Sequence, residues 1–350
     1  MIRFENDYGE GAHPAILQRL LETNEEQAPG YGGDLFCERA RELIKDACGA
    51  PDADVHFMVG GTQANKTVIA SILRPHQGVL SPETGHVATH ETGAIEATGH
   101  KVLTLPHQEG KITAQQIREY CLGHRQDPAM IHSVQPGLAY ISQPTEYGTV
   151  YTRQELEQIK AACQEADIYF FVDGARLGYA AAAGGEVPGL EEMAHLCDVF
   201  YIGGTKVGAM FGEAIVISHP SLKPDFRYQM KQQGGLLAKG RYLGLQFETL
   251  FTDGLYGRIS QRAVDQAGRI RDAFEGAGIP MAYHSPTNQQ FPILTDGWLK
   301  QLGSKYVFAQ WEKTGDGRTV VRFCTSWATK DSAIDALVAD IERYAAQDQP

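Results

Sequence analysis

Tyr169-Phe-Phe-Val-Asp-Gly-Ala-Arg176 and, further on, Asp198-Val-Phe-Tyr-Ile-Gly-Gly-Thr-Lys206 decide how this chain is read. Each is a short apolar run that ends abruptly in small residues. Runs without polar alternation suit strands buried on both faces, which is the condition of a parallel sheet covered by helices. In open α/β sheets the ligand crevice lies outside the carboxyl ends of the strands, so Asp173 and Lys206 both fall at its rim. Taken singly, each has a plainer reading: Asp173 as the former of a tight Asp-Gly turn, and Lys206 as an ordinary surface lysine.

Working outward, the same alternation of strand and helix runs from Val55 to about Ile217. Strands are expected at Val55–Val59, Val102–Leu105, Leu138–Ser142, Ile168–Val172, Val199–Gly203 and Ala214–Ser218. Thr113-Ala-Gln-Gln116 and Thr152-Arg-Gln-Glu155 have the form of capping boxes, so a helix should start at each. In the second, Leu156, Ile159, Cys163 and Ala166 share one face, as on a helix lying against a sheet. After Pro220 the alternation stops, and Leu236–Gly278 reads as long helical sequence bridging to a C-terminal unit. There the pattern is a strand at Phe291–Leu294, a short helix at Gly297–Leu302, two strands around Thr314-Gly-Asp-Gly317, and a final helix with Ile334, Leu337, Val338 and Ile341 inward. The expectation is an α/β protein in two parts, a large domain over 1–245 and a small α+β domain over 246–350.

Bulk properties narrow the partners. With 350 residues and 43% hydrophobic composition there is ample material for a large core and a smaller one. A formal net charge of −12 argues against nucleic acid, whose phosphates need clustered Lys and Arg. The six cysteines stand singly, with no Cys/His cluster at metal-ligand spacing, so they read as reduced thiols and no metal is expected. No stretch reaches the roughly 18 apolar residues of a membrane span, and the N-terminus has no signal-peptide core. A cytoplasmic protein follows as the expectation.

Asp173 and Lys206 carry more chemistry together than apart. A lysine amine forms a Schiff base with a carbonyl cofactor, and an aspartate paired with a pyridine nitrogen keeps that ring an effective electron sink. A third signal is Val55-His-Phe-Met-Val-Gly-Gly-Thr62-Gln-Ala-Asn65, a strand, a Gly-Gly-Thr turn and a helix start, whose N–H groups with the Thr62 hydroxyl suit a phosphate. It lacks the Walker ending and the spaced glycines of a dinucleotide site, which disfavours ATP and NAD.

Phosphate seat, Asp-Gly-Ala-Arg and Gly-Gly-Thr-Lys, in this order, resemble the fold-type I pyridoxal-phosphate enzymes, and among them the low-specificity threonine aldolase/β-eliminating lyase group. The similarity runs from Asn6-Asp7 through Arg322, and its most specific parts are Val172-Asp-Gly-Ala-Arg176 and Gly203-Gly-Thr-Lys206. It implies a large domain on a mostly parallel seven-stranded sheet and a small C-terminal domain. By the same resemblance Lys206 binds the cofactor aldehyde, Asp173 faces the pyridine nitrogen, and Gly61 and Thr62 hold the phosphate. His86 stacks on the ring, Arg176 lies beside the phenolic oxygen and the substrate, and Arg322 grips the substrate carboxylate as a planar bidentate donor. Read without the family, His86 and His90 are also ordinary polar residues of a helix start, and Arg322 also fits a strand with one exposed charge.

The chain departs from the family pattern at Asn6, where a serine is usual, though asparagine also donates a hydrogen bond. Family members reach a neighbouring subunit's phosphate with basic residues, for which Lys231 and Lys239 are candidates, so a homodimer or homotetramer with composite sites is implied. The implied reaction is aldol cleavage of a β-hydroxy-α-amino acid of the L-threonine or L-allo-threonine type to glycine and an aldehyde. The same residues also suit a β-eliminating lyase or an aminotransferase acting on another small amino acid. A noncatalytic relative that keeps the fold as a binding module is the remaining alternative.

Overall fold

The computed structural model describes residues 1–347. The first strand, β1 (Ile2–Arg3), does not join the main sheet. That sheet is built from β2 (Asp54–Met58), β3 (Gln77–Pro82), β4 (Val102–Leu105), β5 (Gln135–Ser142), β6 (Tyr169–Asp173), β7 (Val199–Gly203) and β8 (Glu213–Ile217). Their spatial order is β2-β8-β7-β6-β5-β3-β4. All pairs are parallel except those of β8 with β2 and with β7. The expected mostly parallel seven-stranded sheet is therefore present, and all six strands read from the sequence belong to it. The seventh, β3, was not among them. Its core is Gly78-Val-Leu-Ser-Pro82, bounded by two residues that read as turn formers, yet it sits between β4 and β5 with Val79 and Leu80 fully buried.

Both capping boxes form. Thr113 accepts from Gln116 N at 3.2 Å while Gln116 accepts from Thr113 N at 2.8 Å, opening helix Ala114–Gln126. Thr152 and Glu155 repeat the exchange at 3.2 and 2.7 Å, opening helix Arg153–Ala166, whose Leu156, Ile159, Cys163 and Ala166 are buried on one face. Such reciprocal pairs satisfy two of the N–H groups that every helix start leaves open. Apolar cores fill both sides of the sheet, one holding Ile141, Val172, Phe200 and Ile202, the other Tyr140, Phe171, Val199 and Tyr201.

The bridging region is broken rather than continuous. Helix Arg241–Phe251 lies on helix Leu35–Ala47, and a cut at 245/246 would fall within it. Asp253 and Gly254 then turn through left-handed backbone, with φ of 51° and 67°, and helix Leu255–Gly276 runs on to the C-terminal unit. That unit contains β9 (Gln289–Gln290), β10 (Ile293–Leu294), β11 (Tyr306–Val307), β12 (Ala309–Lys313) and β13 (Thr319–Cys324). Strand β13 pairs antiparallel with β9, β10 and β12, while β1 adds to β11 in parallel. Of the strand expected at Phe291–Leu294 only Ile293–Leu294 forms, as β10, and β9 precedes it at Gln289–Gln290; Pro292 interrupts the pairing because proline offers no N–H to a ladder. Helices Asp296–Gly303 and Asp331–Gln347 cover it, with Ile334, Leu337 and Ile341 fully buried beside Phe4, Phe274 and Phe323. The N-terminus is thus woven into the C-terminal unit before the chain enters the large one.

Candidate active site

The carboxyl ends of β5, β6 and β7 lie side by side, and backbone contact between their exits sets the site. A Cβ on Gly174 would sit 1.8 Å from the Tyr201 carbonyl oxygen, and one on Gly203 would sit 2.1 Å from that of Ala175. Only glycine allows the chain leaving β6 to pass so close to β7, which explains the small residues that follow both apolar runs. Tyr256 and Tyr179 then donate to the carbonyls of Gly203 and Lys206 at 2.9 and 2.6 Å, fixing the loop that carries the lysine.

Asp173 is 3% exposed and accepts four hydrogen bonds. Tyr201 Oη and Ala175 N donate to Oδ1, the latter at 3.0 Å, and Tyr140 Oη and Asn65 Nδ2 donate to Oδ2 at 2.7 and 2.9 Å. The Ala175 bond is the Asp-Gly turn of the plainer reading. Burial by itself would raise its pKa, but the charge of nearby His86 and the side-chain donors hold Asp173 below the usual aspartate value.

Asp173 shares a cavity of about 360 Å³ with Gly60, Gly61, Thr62, His86, Arg176 and Lys206. Helix Gly61–Ile72 begins at its wall and carries no side-chain cap, so its first N–H groups remain available to an anion. Burial and the Arg176 charge pull Lys206 below an ordinary lysine, against the opposing pull of Asp7 and Asp173. Glu213, on β8, also lines this cavity. It accepts from Thr205 Oγ1 at 2.9 Å, and burial pushes its carboxyl up to about 8, although Thr205 and Lys206 draw it down.

His86 Nδ1 lies 2.8 Å from Glu91 Oε1, and the same oxygen accepts from Asn65 Nδ2 at 2.7 Å. One chain of hydrogen bonds therefore joins His86 to Asp173 through Glu91 and Asn65. Burial disfavours the charged imidazole, but the Glu91 bond and the Asp173 charge outweigh it and raise His86. Glu146, after β5, accepts from the His86 backbone N–H at 3.0 Å and from Ser142 Oγ at 2.7 Å, and burial raises it.

Arg176 is claimed by an unexpected partner. Its Nε and Nη2 donate to Asp7 Oδ2 and Oδ1 at 2.7 and 3.0 Å, and Asn288 Nδ2 adds 2.9 Å to the same carboxylate. Two of the sequence-derived candidates, Asn6 and Arg322, are not among the cavity's lining residues. Asn6 Oδ1 accepts from Tyr8 N at 3.0 Å. Arg322 lies over the Trp311 ring, 4.9 Å from its centroid, and donates to Glu5 O at 3.1 Å and Gln289 Oε1 at 3.3 Å, which ties it to the segment bearing Asn6. Lys231 stands 4.6 Å above the Tyr31 ring, outside the cavity, and Lys239 is not among the lining residues either.

Residues 11–335 match the family described as beta-eliminating lyase. The chain belongs to the beta-eliminating lyase family. A low specificity L-threonine aldolase from Pseudomonas sp. is 32% identical to it over 346 residues, covering 97% of this chain and 96% of the relative. The solved structure of Leishmania major threonine aldolase is 43% identical, superposes with a TM-score of 0.95, and is covered over 99% of this chain and 100% of its own. Cystalysin from Treponema denticola, whose structure contains pyridoxal 5'-phosphate, is 17% identical with a TM-score of 0.73 over 99% of this chain and 91% of its own, a likeness of fold alone.

The residues present fit pyridoxal 5'-phosphate, the cofactor that the family resemblance implies. The uncapped helix start at Gly61 leaves N–H groups open to an anion, and a Cβ on Gly61 would lie 3.1 Å from Tyr201 Oη, so that wall tolerates no side chain without movement. An ionised carboxylate and a lysine of lowered basicity face the same space. The sequence reading missed Tyr140, Tyr201, Asn65, Glu91, Glu146, Glu213 and Asp7 as members of the site. For the tyrosines a signal existed: each stands inside an otherwise apolar strand, where a buried hydroxyl must find a partner. For Asp7 and Glu213, nothing local separates them from surface acids. Among the described residues, no helix is long and apolar enough to cross a membrane, and all six cysteines are buried and unpaired.

Proposed function

We propose that this lyase cleaves the Cα–Cβ bond of β-hydroxy-α-amino acids of the L-threonine or L-allo-threonine type, yielding glycine and an aldehyde. The observation that carries it is the meeting of Lys206, Asp173 and the Glu91-bound His86 in one cavity with an open helix start. Bound pyridoxal phosphate supplies the electron sink for the pair released at Cα.

The residues divide the remaining work. Lys206 supplies the amine that binds the cofactor aldehyde, with Gly61 and Thr62 at the phosphate and Asp173 at the ring nitrogen. Arg322 and Asn6 orient the substrate carboxylate, and Arg176, held in place by Asp7, borders both cofactor and substrate. Because the Glu91 carboxylate can only accept, Nδ1 of neutral His86 carries its proton and Nε2 is left as a base. His86 Nε2 takes the β-hydroxyl proton, directly or through one water, as the Cα–Cβ bond breaks, and a proton is returned to Cα before glycine leaves.

A composite site shared between subunits is part of this reading, and an exposed apolar face supports it. Leu17, Leu21 and Met210 are exposed and, with Leu20, Phe211 and Tyr242, line an apolar hollow next to the cavity, which Phe211 also borders. A second copy covering this face forms at least a homodimer, and Lys231 or Lys239 is the basic residue that reaches across. Light scattering tests the assembly; a monomer at working concentration refutes it.

A substrate panel on holoenzyme tests the reaction. Threonine, allo-threonine and phenylserine should give glycine and the matching aldehyde. If the main products are instead pyruvate and ammonia from serine or cysteine, or a new amino acid from alanine with a keto acid, elimination or transamination replaces the aldolase reading.

A further inference from the structure

Four donors already converge on the two oxygens of the Asp173 carboxylate before a cofactor is considered. Two of these donors are phenols. Tyr140 stands on β5 and Tyr201 on β7, the two neighbours of β6, so one hydroxyl approaches Asp173 from each side. Both rings are fully or almost fully buried among Phe171, Val199 and Ile215. Neither residue is required by the packing alone, since phenylalanine would fill the same apolar volume.

Their effect follows from where a shared proton rests. When a buried carboxylate faces a pyridine nitrogen, low polarity favours the neutral pair, with the proton on the acid and the ring uncharged. Hydrogen bonds donated to the ionised carboxylate weaken it as a base and favour the opposite arrangement. We propose that Tyr140 and Tyr201 are positioning residues that keep the proton on the cofactor's ring nitrogen rather than on Asp173. The proton alone changes place, from ring nitrogen to carboxylate oxygen, and no other reactant is involved. The inference rests on Asp173 facing that nitrogen. It assigns the electron-sink strength of the site to two hydroxyls that act through Asp173, Tyr201 from the cavity wall and Tyr140 from outside the lining.

The test loads holoenzyme with pyridoxal phosphate isotopically labelled at the ring nitrogen and reads its protonation by NMR in the wild type, Tyr140→Phe, Tyr201→Phe and the double variant. The wild-type nitrogen should be protonated, each single variant partly shifted, and the double variant shifted toward the unprotonated position. In parallel kcat should fall about tenfold for each hydroxyl removed, the size expected for one hydrogen bond to a charged group. KM for the amino acid should stay within about threefold, since the carboxylate grip is untouched. An unchanged nitrogen signal in the double variant overturns the proposal, whether or not activity falls. If the double variant does not fold, the single variants decide by the same criterion. Asp173→Asn separates the two layers: if it leaves the nitrogen as in the wild type, the placement of Asp173 itself fails, and the role of the tyrosines fails with it.

Discussion

Replacing Asp7 by asparagine should cost the protein about 3 kcal/mol, and the structure supplies the terms. Asp7 is 1% exposed and forms a two-pronged pair with Arg176, at 2.7 and 3.0 Å, while Asn288 donates a third bond at 2.9 Å. Burial would raise its carboxyl, but the charges of Arg176 and Lys206 together with these bonds hold it at about 2, against 3.8 ordinarily. That difference corresponds to about 2–3 kcal/mol of stability. Breaking a buried pair on one side costs about 3–5 kcal/mol, because the partner charge stays behind, and asparagine retains one acceptor oxygen, which places the loss at the lower end. The sign is fixed by the direction of the shift. A lowered carboxyl contributes its full stability above the unfolded value near 3.8 and loses it as pH falls toward 2. Denaturant unfolding of wild type and Asp7→Asn at matched cofactor concentration should therefore show a gap that is level from pH 7 to about 4 and shrinks below. Adding Arg176→Gln should recover part of the loss, so the double variant costs less than the sum. A loss under about 1 kcal/mol at pH 7, or a gap already closing by about pH 6, would refute the reasoning.

Four further outcomes are expected. Glu91→Gln removes the carboxylate that raises His86, so the acid limb of the kcat/KM profile should move to lower pH; a stationary limb contradicts His86 as the base. Lys206→Ala should abolish the borohydride-stable attachment of cofactor, and mass spectrometry finding the label on another lysine in the wild type would remove the assignment. Gly203→Ala drives a methyl to 2.1 Å from the Ala175 carbonyl oxygen and should lower stability by about 1–3 kcal/mol or more while loosening the cofactor, read by unfolding midpoint and absorbance. Arg322→Ala should raise KM for the amino acid by about ten- to a hundredfold, with Arg322→Lys recovering little, since a point charge does not replace a planar fork.

How far the sequence could be read depended on the range over which each signal acts. All six expected strands of the sheet were legible as short apolar runs, and both capping boxes formed because a helix start is decided within four residues. Strand β3 escaped because glycine and proline at its ends outweighed a short apolar centre in local reading. Pro292 shortened the strand expected at 291–294 to its last two residues, and its missing N–H is legible in the sequence. Gln143 through Glu146 carried no motif at all, yet Glu146 ended beside His86.

Periodicity, turn residues and the spacing of Asp173, Lys206 and the Gly60-Gly-Thr62 turn sufficed to identify a layered α/β protein and the amine, the acid and the anion seat at its crevice. These features are local, because each depends on neighbours a few positions away along one strand or one helix end. Tertiary structure alone decided that Asp173 takes two phenols and an amide, that Arg176 is held by Asp7 across 169 positions, and that Glu91 meets Nδ1 of His86. Those partnerships join separate strands and both units of the fold, and a contact between distant segments leaves no period in the chain that could announce it.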